Sequence, residues 1–111
     1  MSHSYYDSKD LPRFPEIGKE APELAQAFFS WYGKVFEAGA LTAREKALIA
    51  LAVAHSVQCP YCIEAWTDGC LEQGSDAEEM TEAIHVAAAI RGGASLVHGM
   101  QMRGHLERLG M

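Results

Sequence analysis

Positive charge is scarce in this chain: 9 lysine and arginine side chains stand against 15 acidic ones in 111 residues, a formal net charge of -6. An acidic balance repels phosphate backbones and anionic lipid surfaces, so neither nucleic acid nor a membrane is expected as a partner. Long apolar runs are missing too. The longest, residues 47–54, falls far short of the roughly 20 residues that a spanning helix needs. The N-terminal Met1-Ser2-His3-Ser4-Tyr5-Tyr6-Asp7 has no basic region followed by an apolar one. No secretory signal is therefore expected, and a soluble cytoplasmic protein is. Cysteine is sparse, and its count of 3 is odd, which suits a reducing compartment better than a secreted disulfide framework. No second Cys-x-x-Cys and no paired-histidine motif completes a zinc set, so neither metal nor cofactor is expected. Convergence of His55, His85 and His98 is the one arrangement that would restore a metal reading.

What is present is an ordinary globular balance, 49% hydrophobic and 22% charged, on a length that fits one domain over residues 1–111. Residues 1–15 are polar and aromatic and are interrupted by Pro12 and Pro15, so they read as an irregular arm that packs on the body or on a neighbouring subunit. Over 22–38, Leu24, Ala27, Phe28, Trp31, Tyr32, Val35 and Phe36 recur at three- and four-residue steps. That is an amphipathic helix with Pro22 in its first turn and Gly39 after its end, and its aromatic stripe reads as core. Thr42 and Glu45 form a capping-box pair ahead of a second helix.

Residues 47–54 are apolar on every face. A buried strand competes with a buried helix here; the alanines, the cap and the helix formers Glu45 and Lys46 favour helix. A helix apolar all round needs cover on all sides, which subunit contacts would supply in so small a chain.

Pro60 ends that helix near Val57 and opens another at Cys59-Pro60, which runs to about Gln73 and stops at Gly74. Ser75 or Asp76 caps a fourth helix. Gly92-Gly93 are expected to break it, and a fifth helix is expected over 94–109. The fold class is thus all-α, a bundle of about five helices with short connections.

The chemistry concentrates at Cys59-Pro60-Tyr61-Cys62. A cysteine at the head of a helix faces unpaired amides and the positive end of the macrodipole, which stabilise thiolate over thiol. One turn separates the two sulfurs, close to the Cα spacing that a disulfide requires. His55, four residues earlier, is placed to take a proton from a thiol or return one to a leaving group, or else simply to cap its helix. Cys70, two turns beyond Cys62, reads as a small buried hydrophobe.

Cys-Pro-Tyr-Cys is the motif seen in glutaredoxins, but their strand before the motif is replaced here by an alanine-rich helix. The chain instead resembles the carboxymuconolactone decarboxylase superfamily, in particular its alkylhydroperoxidase AhpD-like branch. The likeness covers 41–102 and is carried by Leu41-Thr-Ala-Arg-Glu-Lys-Ala, Cys59-Pro-Tyr-Cys62-Ile-Glu-Ala, Gly74-Ser-Asp-Ala-Glu-Glu-Met and Arg91-Gly-Gly-Ala94. The resemblance implies an all-helical, AhpD-like bundle assembled as a trimer or hexamer. It implies a peroxide-reducing cysteine pair, with Cys62 attacking and Cys59 resolving, although the dipole argument makes Cys59 the more acidic thiol.

Two relay positions depart from the branch. Ala47 stands where its pattern has glutamate, and Trp66 where it has histidine. The acid-base work is then expected of His55, with Glu64 or His98 as helpers. The expected function is a thiol-dependent peroxidase that takes a hydroperoxide substrate and an external thiol reductant. A disulfide oxidoreductase acting on disulfide substrates is the alternative, as is a non-catalytic oligomeric module that binds a ligand or metal. Lactone decarboxylation has no need of a cysteine pair.

Overall fold

A computed structural model describes residues 5–111. A 3-10 segment, Ser8–Gly18, precedes four α-helices: α1 Pro22–Phe36, α2 Ala43–Ser56, α3 Pro60–Glu72 and α4 Ala77–Arg108. No strand occurs among the described residues. The all-α expectation holds, and the count of about five is met with the 3-10 segment as one of them. Part of the N-terminal arm is thus regular rather than irregular. Its Pro12 and Pro15 sit inside the 3-10 segment, whose backbone φ is close to the value near about −65° at which the proline ring is locked. Residues 1–4 of the arm lie outside the described residues.

The helix boundaries follow local chemistry. Thr42 caps α2 with a complete capping box, its side chain accepting from Glu45 N–H at 3.0 Å while Glu45 accepts from Thr42 N–H at 2.8 Å. Asp76 and Glu79 do the same for α4. Gly74 takes φ +84° after α3, a left-handed turn that glycine adopts without a Cβ penalty.

One boundary departs from expectation. Gly92-Gly93 do not break a helix; α4 runs unbroken through them for 32 residues, about 48 Å at the α-helical rise. Glycine inside a helix costs roughly 1 kcal/mol relative to alanine, which penalises a helix without forbidding it, and no proline follows to remove a backbone bond.

α2 is the hub. Ala47 and Leu51 join Cys70 of α3 in the buried cluster, with Leu48, Trp66 and Met80 against it. Ala54 is buried as well. The expectation that α2 is covered on all sides is met on one face only, since Ile49 and Val53 are about half exposed. The stripe of α1 is likewise not core: Leu24, Phe28, Trp31 and Val35 are exposed, although Phe28, Tyr32 and Phe36 stack on one another along it. These faces are uncovered because the chain is extended rather than compact. Its radius of gyration is 19.1 Å, against about 13 Å for a compact domain of this length.

A candidate redox site at the head of α3

The local fold places the cysteines as their neighbours dictate. α2 ends at Ser56, and the chain turns through Val57 and Gln58, the latter at φ 56°. Cys59 N–H returns to the Ala54 carbonyl at 3.1 Å. Cys59 is the N-cap of α3, and its sulfur accepts a hydrogen bond from Cys62 N–H at 3.2 Å. Pro60 occupies the first helical position, where its missing N–H costs nothing. Cys59 and Cys62 are joined as a disulfide with a Cα separation of 5.2 Å, and both are half-buried. Cys70 is the free cysteine; it is fully buried, and burial pushes its thiol pKa up despite the nearby Arg44.

The two flanks of this turn differ. On one side a cavity of about 490 Å³ is walled by α1, α2 and α3 and is lined by Cys62 but not by Cys59. Val35, Phe36, Leu41, Ile49, Val53 and Val57 make it apolar. Its polar atoms come from few residues. Lys46 Nζ is bound to the Val35 and Glu37 carbonyls. Tyr32 Oη accepts from Trp66 Nε1–H at 3.0 Å. Trp66 also packs on Phe36 with centroids 4.2 Å apart. On the other side a smaller hollow of about 270 Å³ lies between α2 and α4, lined by His55, Ser56, Ile84, Ala87, Ala88 and Arg91. Arg91 donates there to the Ser56 carbonyl.

The residues singled out in the sequence are therefore dispersed. His55 is half-buried on the last turn of α2, and its Nδ1 lies 2.9 Å from the Leu51 carbonyl. That contact needs the hydrogen on Nδ1 and leaves the Nε2 lone pair free in the neutral ring. Glu64 accepts from Tyr6 Oη–H at 2.9 Å, and this bond is the main cause that pushes the Tyr6 phenol pKa up. Tyr61 donates to Asp10 at 3.3 Å and packs edge-on against Tyr6. Burial first, and Asp10 second, push its phenol up as well. The N-terminal segment thus straps the outer face of the redox turn. His98 is exposed on α4 with Nδ1 2.6 Å from Ala94 O. Neither Glu64 nor His98 lines the cavity with Cys62.

Ala47, at the first departing relay position, is buried in the core. Trp66, at the second, is a cavity wall. The cavity residue that sequence reasoning passed over is Tyr32, taken there as one ring of a core stripe. The available signal was that a tyrosine hydroxyl among buried rings needs a polar partner, which Trp66 provides. Among the described residues no group of three or more His, Cys, Asp or Glu side chains is arranged to hold a metal ion, and no helix is long and apolar enough to cross a membrane.

Comparison with known proteins fits this geometry. The profile of the Carboxymuconolactone decarboxylase family matches residues 22–102. The chain is 43% identical over 83 residues to "Uncharacterized protein 4 in cox locus" of Paracoccus denitrificans, covering 75% of each chain. Among solved structures, a protein from Methanobacterium thermoautotrophicum superposes with a TM-score of 0.72 at 36% identity, over 76% of this chain and 94% of that one. A carboxymuconolactone decarboxylase family protein from Legionella pneumophila, solved in its apo form, superposes with a TM-score of 0.69 at 34% identity, over 82% of both chains.

Proposed function

Because the chain belongs to the carboxymuconolactone decarboxylase family, we propose that it is an AhpD-like thiol peroxidase that cycles Cys59 and Cys62 between dithiol and disulfide. The observation that carries this reading is the asymmetry of the pair: Cys62 lines the apolar cavity and Cys59 does not. Cys62 attacks a hydroperoxide oxygen and becomes a sulfenic acid; Cys59 displaces the hydroxyl as water and closes the disulfide. Cys59 accepts the Cys62 N–H at the helix head, so it is the better-stabilised thiolate, and access rather than acidity gives Cys62 the first step. Because the walls are apolar, the substrate is an organic hydroperoxide with a hydrocarbon body. An external thiol in the cytoplasm restores the dithiol.

His55 is our candidate base for the thiol proton. Its free Nε2 and its place on the last turn of α2, four residues before Cys59, support that role. Glu64 and His98 are further from it in function: Glu64 is held by Tyr6, and His98 stands on α4.

The working unit in this reading is a homo-oligomer, a trimer or hexamer. Val86, Ile90, Leu96, Val97, Met100 and Met102 of α4 are all more than half exposed, and the cover that suits such a face is a second copy of it. Light scattering of the purified protein tests this, and a monomer at micromolar concentration would remove it.

Anaerobic stopped-flow of the reduced protein tests the chemistry. Rapid loss of two thiols to an organic hydroperoxide supports a peroxidase. Loss to small disulfides alone supports a disulfide oxidoreductase instead, and inert thiols leave a binding module.

A further inference from the structure

The two relay positions of this chain hold alanine and tryptophan, so the peroxidase reading lacks a proton source on the side where Cys62 reacts. We infer that Tyr32 is that source: its phenol donates the proton that the departing alkoxide takes, and Trp66 positions it. The inference rests on the peroxidase reading and deepens it.

Geometry brings the three groups together. Tyr32, Cys62 and Trp66 line one cavity, and Trp66 lies four residues beyond Cys62 on α3, on the same face of the helix. The indole N–H can only donate, and it donates to Tyr32 Oη at 3.0 Å. The phenol oxygen is thereby used as an acceptor, which leaves its own hydrogen to be donated elsewhere. Among the described residues that hydrogen has no protein acceptor. A hydroxyl that accepts one hydrogen bond becomes a stronger donor of the next. Lys46, the other polar group of the cavity, spends two of its three N–H donors on carbonyls of the α1 end and is anchored there, and His55 lines the opposite hollow.

The step balances as follows. The Cys62 thiolate attacks the terminal oxygen of R–O–O–H; an S–O bond forms and the O–O bond breaks. Its electron pair leaves on the alkoxide, so sulfur is oxidised by two electrons and the peroxide is reduced. Tyr32 gives its proton to the alkoxide, which departs as the alcohol ROH, and solvent reprotonates the phenolate. Cys59 then closes the disulfide with loss of water. A phenol is a stronger acid than an alcohol, so it can protonate a departing alkoxide, and a far weaker acid than a carboxylic acid, so it matters little to a carboxylate leaving group.

That contrast supplies the test. Reduced wild type and the Tyr32→Phe variant are mixed with tert-butyl hydroperoxide, which expels an alkoxide, and with peracetic acid, which expels a carboxylate. The variant is expected to lose at least about tenfold in rate with the hydroperoxide and to keep the wild-type rate with the peracid. Its peracid rate also reports that the site is still folded. Trp66→Phe is expected to lose less, on the hydroperoxide alone. An equal fall with both oxidants, or no fall with either, overturns the role of Tyr32 while the peroxidase reading stands. A wild-type dithiol that ignores both oxidants overturns the two together.

Discussion

The two sides of α2 differ in kind. Toward α1 and α3 the helix presents Ile49, Ala50, Val53 and Ala54 to a large apolar cavity that holds Cys62. Toward α4 it presents His55 and Ser56 to a small hollow with Arg91, and Arg44 pairs with Glu79 farther along. A shift of one or two positions along the helix separates cavity walls from polar ties. Nearness in sequence to the cysteines is therefore a poor guide to which groups share a chamber with them: His55 is four residues from Cys59, yet it faces α4, whereas Tyr32 is thirty away from Cys62 and shares its cavity.

The comparison breaks most severely at the sulfurs. Cys62→Ser is expected to abolish reaction with hydroperoxides. Cys59→Ser should still react once and then stall as a sulfenic acid, trapped by dimedone and read by mass spectrometry. If the serine at 59 abolishes the first step and that at 62 does not, the cavity is on the wrong side of the pair.

Filling each hollow in turn gives the next effect. Ala50→Phe places a ring in the Cys62 cavity and is expected to lower kcat/KM for a bulky hydroperoxide by about tenfold or more, equivalent to about 1.4 kcal/mol of transition-state binding. Hydrogen peroxide, which has no body to exclude, should be affected far less. Ala88→Val in the opposite hollow, where His55 and not Cys62 lies, is expected to change both rates by the same factor and so leave their ratio at the wild-type value. Equal effects of the two substitutions would show that the sides are not functionally distinct.

His55→Gln tests the polar side directly. If His55 is the base for a thiol, the thiolate absorbance of the reduced protein will rise at higher pH in the variant, with the ratio of hydroperoxide to peracid rates unchanged. An unmoved thiolate titration removes His55 from the mechanism.

Much of this frame was legible in the sequence. The capping box at Thr42, a cap at Ser75 or Asp76, Pro60 at a helix start and Gly74 at a helix stop are local devices, and local chemistry sets them; that the cap is Asp76, in a box with Glu79, came from the structure. The continuity of α4 through Gly92-Gly93 was not legible, because glycine changes the cost of a helix and not its possibility. The exposure of the α1 stripe was not legible either: periodicity shows which face is apolar but not whether another element of the chain folds over it. The site divides in the same way. The cysteine pair is a sequence motif, and its disulfide geometry followed from one helical turn. The partnership of Tyr32 with Trp66 crosses from α1 to α3, and no spacing rule within one helix reports a contact between two.

The smallest expected effect concerns the ties between α2 and α4. Arg44 hydrogen-bonds Glu79, and this bond first, then the Asp76 N–H, hold the Glu79 carboxyl below its ordinary value. A carboxylate whose pKa is depressed on folding stabilises the fold fully above its unfolded value of about 4.3, and that contribution is lost as pH falls through the lower, folded value. The pair is partly exposed, at 41% and 37% for the two side chains, so solvent screening keeps the effect small. Glu79→Gln should therefore lower Tm slightly at pH 7, and the wild-type and variant curves should converge as pH drops below about 4. Circular dichroism melts from pH 7 to pH 3 measure this. A gap that widens toward acid would mean that Glu79 is stabilised in its protonated form, and that the α4 side of α2 is not held by charge at all.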